Sequence, residues 1–567
     1  MAFATQFSAG GAEITLDGHK FTMVDGFVIE RVAGPPLIER PIVADFDESG
    51  RLYVADSSGS NDKVEKQLAE KPHRIVRLED TNSDGRFDRR TVFADKMMFP
   101  EGTMWYDGSL YVAAPPSIWK LTDTDGDGVA DQRIEWFQGK TLTGCANDLH
   151  GPYLGPDGWI YWCKGAFAEQ RYERPGRKPF VTKAAHIFRC RPDGSEIEPV
   201  MTGGMDNPVD VVFTPGGERI FTTTFLQHPG GGLRDGLIHA VYGGVYGKVH
   251  HVIEGHKRTG EIMPVLAHLG PAVPAGLVAY ESTVFGDAYR HNLFAALFNL
   301  HKVTRHVLTP TGATFTSRDE DFLVSDNLDF HPTDVIEDAD GSLLVVDTGG
   351  WYKLCCPTSQ LPKPDVLGAI YRVRRHDARP SDDPRGLRLG WDRLSVHELA
   401  QLLGDPRPTV RRRAVHCIGR KGATAVATLT GRLESGSTQA RRNAVWALTR
   451  ITGVEARAGV RKALADSDDS VRQAAVHSIS VHRDRDAVPM LVRLLSDPSL
   501  PVRRATAEAL GRIGDPQAVG ALLEAAGGRT DRVLEHSIIY ALIEIADPRA
   551  TAAGLTSSRS PMRRAAL

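Results

Sequence analysis

The chain has 567 residues, 41% hydrophobic and 25% charged, with a formal net charge of −3. That length needs two or more cores, and the balance is that of a folded chain and not of a disordered one. A charge this close to neutral gives no basis for nucleic-acid binding, and no apolar run approaches the ~20 residues that span a bilayer.

The first 20 residues read as an N-terminal extension. MAFATQFSAGGAEITLDGHKF shows no basic stretch followed by an apolar one, so no signal peptide is visible. Residues 21–375 repeat one phrase: an apolar strand, a tight turn bearing Gly or Asp, and an alternating strand. Its instances are IVADFDESGRLYVAD (42–56), MWYDGSLYVAA (104–114), PYLGPDGWIYW (152–162), VVFTPGGERIFTTT (211–224), LVAYESTVFGDAYRHNLFAAL (277–297) and DVIEDADGSLLVVD (334–347). Each but the fifth, which has a longer insertion, carries the hairpin signal. Six phrases predict a six-bladed β-propeller, one phrase per blade, with a central channel as the natural site. A β-sandwich with long loops is the alternative.

Two loops in this region place oxygen side chains at alternate positions: Asp80, Asn82, Asp84 and Asp88, then Asp123, Asp125, Asp127 and Asp131. Gly85 and Gly128 allow the sharp turn. Calcium takes six to eight oxygens at about 2.3–2.6 Å, which this spacing can wrap around one point. The Glu of an EF-hand is missing, with Thr91 and Ile134 at its position. An Asp- and Gly-rich turn without metal is the alternative.

Further along, Asn147, Asp148 and His150 precede a blade strand, where propeller loops converge on the channel. An imidazole beside a carboxylate suits proton abstraction, and an Asx-held turn is the structural alternative. His239, Tyr242 and Tyr246 lie in LIHAVYGGVYGK, which suits stacking on a sugar or planar cofactor, or equally a blade edge. Arg305 and His301 offer a hold on an anion or a solvated strand face. His331 and Asp334 in FHPTDV match Asn207 and Asp210 in DNPVDV, so channel lining and blade building are both expected of them.

The six cysteines are Cys145, Cys163, Cys190, Cys355, Cys356 and Cys417. They are too few for a disulfide scaffold and form no CxxC or CxxCH. For the adjacent Cys355 and Cys356 a strained ring disulfide, bridges to Cys145 or Cys163, and buried thiols all stand open.

Residues 376–391 lose all periodicity and read as a linker. From 392 to 567 the pattern turns helical, with Val410-Arg411-Arg412, Ala440-Arg441-Arg442, Val471-Arg472, Val502-Arg503-Arg504 and Val533 recurring every 30 or 31 residues. Period and motif predict HEAT-type repeats, which bury their apolar faces by stacking. The repeated arginines are expected to pair with Asp405, Asp468 and Asp497, an acidic partner being the other reading. The chain stops at PMRRAAL, inside what reads as another repeat, so the natural protein is expected to continue or this to be a fragment.

Several long stretches carry a family resemblance: SGSNDKVEKQLAEKPHRIVRLEDTNSDGRFD, FADKMMFPEGTMW, NDLHGPYLGPDGWIYWCKGAFAEQ, LIHAVYGGVYGK, LFAALFNLHKVTRHVL and FHPTDVIEDADGSLLVVDTGGWYKLCCPTSQLPKPDVLGAIYRVRR. Over residues 20–567 the chain resembles the planctomycete-type membrane-bound dehydrogenases, exported proteins with a glucose/sorbosone dehydrogenase-like propeller and HEAT repeats. These typically end in a c-type cytochrome domain, whose haem motif this chain lacks. The resemblance implies a periplasmic or otherwise extracytoplasmic location, a carbohydrate or alcohol substrate and an electron acceptor such as a c-type cytochrome. A more distant resemblance to soluble quinoprotein glucose dehydrogenases implies pyrroloquinoline quinone at the channel mouth and a His base. Aligned on Gly155-Pro156-Asp157, that base position falls on Asn147, with His150 three residues later.

Three functions follow. The first is a sugar or alcohol dehydrogenase. The second is a non-catalytic glycan- or protein-binding propeller with a HEAT scaffold for a protein partner. The third is a calcium-dependent hydrolase or lactonase. Fold alone does not choose between them.

Overall fold

The computed structural model describes residues 11–139, 142–143, 149–174, 178–227, 230–352, 361–379 and 381–567. Strands occupy the first part and helices the second. Six largely antiparallel sheets stand around an axis, and each predicted phrase forms the first two strands of one sheet. The innermost strands of blades 1 to 6 are Pro41–Phe46, Gly102–Tyr106, Leu149–Leu154, Asn207–Phe213, Pro274–Ala279 and Pro332–Glu337.

The second strand of every blade, from LYVAD (52–56) to LLVVD (343–347), is buried along its whole length. Each lies between two strands of its own sheet and between two neighbouring blades. Most therefore read as nearly continuous apolar runs and do not alternate, while that of blade 4, RIFTTT, buries an arginine and three threonines. The turn before it carries a glycine at positive φ in five blades: Gly50, Gly108, Gly158, Gly217 and Gly341. Only glycine takes that conformation without strain.

The ring closes by strand exchange between the ends of the propeller. Phe27–Ala33 pairs antiparallel with Ala369–Arg375 and completes blade 6. The stretch read as an extension also contributes: Ala12–Leu16 and His19–Met23 form a hairpin that joins the outer edge of blade 5 at Thr314–Ser325. Its alternating apolar residues, such as Ile14 and Phe21, pack on that blade's core.

The second part is a stack of helix pairs, the predicted HEAT solenoid, and it is folded back onto the propeller. Helices Pro408–Arg420, Thr438–Thr449, Asp469–His482, Leu500–Ile513 and Arg532–Ile545 form the row that faces it. They lie against the end where first and second strands turn. Arg412 pairs with Glu281 at 3.1 Å, Trp446 Nε1 donates to the Pro215 carbonyl at 3.2 Å, and His477 Nε2 donates to Asp157 Oδ2 at 3.0 Å. Further along, Arg504 pairs with Glu218, Arg512 with Glu198 at 2.9 Å, and Tyr242 with Glu544 at 3.2 Å. Trp159, Tyr161, Phe221 and Ile238 of blades 3 and 4 share one apolar core with the helices.

The repeated arginines divide their work. The first of each pair curls back onto the preceding turn: Arg411 donates to the Asp405 carbonyl, Arg441 to that of Gly436 and Arg472 to that of Asp466. Arg441 and Arg472 also pair with Asp466 and Asp497 of the next repeat. Asp468 is different, since it caps a helix by accepting from Ser470. The following residue, Arg412 or Arg504, reaches the propeller. The face expected to recruit a separate protein is thus occupied within the chain. Among the described residues no helix is long and apolar enough to cross a membrane.

Candidate functional site

The axis has two ends, and the sequence-predicted residues separate between them. The end away from the solenoid is lined by the starts of the innermost strands. His150 begins that of blade 3, with Nδ1 3.6 Å from Oε2 of Glu101, which precedes the innermost strand of blade 2. His331 stands before the innermost strand of blade 6 and is held rigidly. Its Nδ1 donates to the Gly349 carbonyl at 2.7 Å, its ring stacks on Phe298, and His301 meets it edge-on. Burial pushes the His331 imidazole below its ordinary value, so it is neutral near pH 7. Trp351, Phe99 and His73 form an aromatic cluster at the same end. Asn147 and Asp148 lie outside the described residues, as do Cys145, Cys355 and Cys356. Cys163, Cys190 and Cys417 are free thiols.

The other predicted binding residues do not reach this end. His239 is buried at the solenoid side of blade 4, its Nε2 2.7 Å from Glu218 Oε2. Tyr242 packs under Arg512, and Tyr246 donates to the His239 carbonyl at 2.7 Å. The Tyr-Gly motif is thus a docking surface for the solenoid. Its glycines make room for that contact: a Cβ on Gly243 would lie 2.3 Å from the Tyr540 ring. Arg305 covers Tyr289 at 3.9 Å and donates to Asn292 in blade 5, where it is structural.

Asp334 lies on the axis but works as a staple between blades. Its Oδ2 accepts from Ala44 N of blade 1 at 3.0 Å. Asp45 repeats this to Trp105 N of blade 2 at 2.7 Å, and Asp210 to Leu277 N of blade 5 at 2.7 Å. Gly276 sits where a Cβ would come within 2.3 Å of Asp334 Oδ1, so the close approach of blades 5 and 6 requires glycine there. Burial raises all three carboxyls, Asp45 to about 6, Asp210 to about 7 and Asp334 to about 8; for Asp334 the neighbouring Asp210 adds to it. Sequence reasoning found Asp334 and Asp210 from their matched phrases. It missed Glu101 and Asp45, which no shared motif marks.

Around these staples and on toward the solenoid, the axis widens into a chamber of about 580 Å³, which Glu101 also lines. Inner-strand ends of the propeller form one wall, and helices Pro408–Arg420 and Thr438–Thr449 form the other.

The two oxygen-rich loops are the outer hairpin turns of blades 1 and 2, at the end opposite His150. Carboxylate oxygens of Asp123, Asp125 and Asp127 lie within 4.8 Å of one another, a donor set that fits a hard cation. In the other loop Asp80 accepts from Asp84 N and Gly85 N, and Asn82 from Asp84 N. Asp88 and Asp131 instead hold Thr81 and Thr124 at the loop starts.

The sequence pattern of the family described as "Domain of unknown function (DUF7133)" matches residues 15–377. The chain belongs to that family. HEAT repeats match at 396–480 and 458–543. No curated protein matches. Among solved structures, the DUF7133 chain is similar to a Thermus thermophilus protein described as a putative oxidoreductase (glucose dehydrogenase). The two are 19% identical, over 61% of this chain and all of that one, with a TM-score of 0.42. It is also similar to the pyranose dehydrogenase PQQ domain of Coprinopsis cinerea, at 12% identity over 63% and 97% of the chains and a TM-score of 0.42. For a family AA12 carbohydrate-active enzyme of Trichoderma reesei the values are 14%, 62%, 97% and 0.41.

Pyrroloquinoline quinone carries three carboxylates and needs cations free to meet them. Cations at the His150 end are engaged. Lys164 Nζ donates to the carbonyls of Gly165, Ala168 and Ala184, Lys248 pairs with Asp206 at 2.6 Å, and Arg74 pairs with Asp56 at 2.7 Å. Arg40 donates to the Pro364 carbonyl. The described residues of this end therefore do not fit that cofactor.

Proposed function

We propose that the protein oxidises a hydroxyl of a sugar or alcohol at the end of the axis away from the solenoid. The observation that supports this is the His150–Glu101 pair on adjacent inner blades. His150 is placed to act as the base, with the Glu101 carboxylate beside it. His150 takes the hydroxyl proton, and the carbon-bound hydrogen leaves as hydride to a diffusible two-electron acceptor, giving the carbonyl product. An extracytoplasmic location, with a c-type cytochrome as the final acceptor, is part of the same reading. Calcium at Asp123, Asp125 and Asp127 would brace an outer hairpin and take no part in the chemistry.

The engaged cations favour a second reading, in which the same end binds a glycan without turnover. Dye-linked oxidation assays across a panel of sugars and alcohols, with and without added quinone and calcium, separate the two. Dye reduction that is lost in His150→Ala supports the dehydrogenase. Sugar binding by calorimetry with no reduction under any condition leaves only the binding module.

A further inference from the structure

We propose that the chamber between propeller and solenoid is a second ligand site, for a small organic anion of about hexose size bearing a carboxylate or a phosphate. Its volume of about 580 Å³ falls within the range of about 300–1,000 Å³ usual for small-molecule sites. Trp105, Tyr106 and Trp446 on its wall offer flat apolar faces.

The charge on the walls is uneven. Arg385 is matched by Asp338, and Arg420 and His416 by Asp107. Arg413 stacks on Trp391, and Arg450 donates to the Pro156 carbonyl. Asp45, Asp210 and Asp334 are the raised carboxyls that accept backbone N–H groups. On the propeller wall Asp47 is matched by Arg51, Glu48 accepts from Trp105 Nε1 and Glu101 faces His150. The solenoid wall brings Arg411 and Arg412 from one repeat and Arg442 from the next, with Arg290 of blade 5 behind them; Arg411 also donates to the Asp405 and Pro406 carbonyls and Arg442 to Ser470 Oγ. Glu281 answers Arg412 at 3.1 Å and Arg411 at 3.7 Å. Asp468 acts on Arg442 from its own helix cap. Glu337 is occupied by Glu281 N and Ser282 N, and burial, then Glu281, raises it to about 7.

On this side of the chamber four guanidiniums thus meet the carboxyl groups of Glu281, Asp468 and Glu337. Burial pushes Arg442 down to about 10, with Arg290 and Arg411 adding to the effect against Asp468 and Glu281. An oxyanion placed among these arginines relieves that repulsion and takes charge-assisted hydrogen bonds. Arg412 keeps a side chain that is 53% exposed, so the cluster has a solvent-facing member. The arginines stand at the solenoid end of the chamber, whose other end reaches Glu101, the neighbour of His150.

The test is titration of the full chain by tryptophan fluorescence and calorimetry with glucuronate, glucose 6-phosphate and, as the neutral control, glucose. Both anions, or one if the site selects carboxylate over phosphate, are expected to bind at least tenfold tighter than glucose. Arg412→Gln and Arg442→Gln should weaken that binding tenfold or more. Glu281→Gln removes a competing carboxylate and should tighten binding severalfold, a direction that simple damage to the fold would not give. Glucose binding as tightly as both anions, no effect of the half-exposed Arg412→Gln, or weaker binding in Glu281→Gln each overturns the proposal.

Discussion

Replacing Asp334 by Asn should make the protein less stable than the natural chain near pH 4 and more stable at pH 8. In the fold the Asp334 carboxyl keeps its proton up to about pH 8, because it is buried and faces Asp210, whereas the ordinary value is 3.8. Between those two values the folded chain binds more protons than the unfolded one. Stability is therefore fully present below about 3.8 and is lost as pH rises toward about 8, by about 1.4 kcal/mol per pH unit. From pH 5 to pH 8 this reaches about 4 kcal/mol as a ceiling, and roughly half of that once Asp210 and Asp45 share the titration. Asparagine never ionises, so it escapes this loss. It has a fixed cost of its own: Asp334 accepts from both Ala44 N and Val335 N, and the amide has one oxygen to offer, worth about 1 kcal/mol at every pH. Thermal unfolding of both proteins from pH 4 to pH 8 checks this. The difference in Tm should change sign across the range. A difference that stays constant with pH would show that Asp334 is ionised in the fold and would refute the argument.

Other consequences can be measured alongside. Arg504 is 1% exposed and pairs with Glu218 and Glu508, so Arg504→Met should cost about 3–5 kcal/mol by leaving buried carboxylates unmatched; melting curves and faster proteolysis between 376 and 391 would report it. At Asp157, burial raises the carboxyl but His477 and Arg189 outweigh it and bring it to about 2. Its contribution is complete above the ordinary 3.8 and lost as pH falls toward about 2. His477→Ala should therefore flatten acid unfolding in that window by about 2 kcal/mol. His150→Ala should lower dye-linked turnover by about 10²-fold or more with Tm unchanged. Calcium added to chelator-treated protein should raise Tm, and Asp125→Ala should remove most of that rise; an identical response in the variant would place the ion elsewhere.

Much of the architecture is legible because it rests on local chemistry. A strand buried on both faces is mostly apolar, and a tight hairpin turn must carry a residue that tolerates positive φ. Five occurrences of that pairing and one with a longer insertion announce six blades, and Val-Arg spaced by 30 or 31 residues announces stacked helices. His150 and Asp334 were visible for the same reason, since each stands at the start of a recognisable inner strand. What no local pattern holds is how distant segments meet. The strand that closes blade 6 comes from Phe27–Ala33 and pairs with Ala369–Arg375. The solenoid turns back onto the propeller through Arg412 and Glu281, His477 and Asp157, and Arg504 and Glu218, partners 131 to 320 residues apart. Each of these side chains is an ordinary charged residue in its own stretch. Only the folded chain gives Tyr242 a helix to grip, makes a staple of Asp334, and gathers arginines from two repeats around one chamber. Ion pairing and burial depend on proximity in space, which the order of residues along the chain does not state.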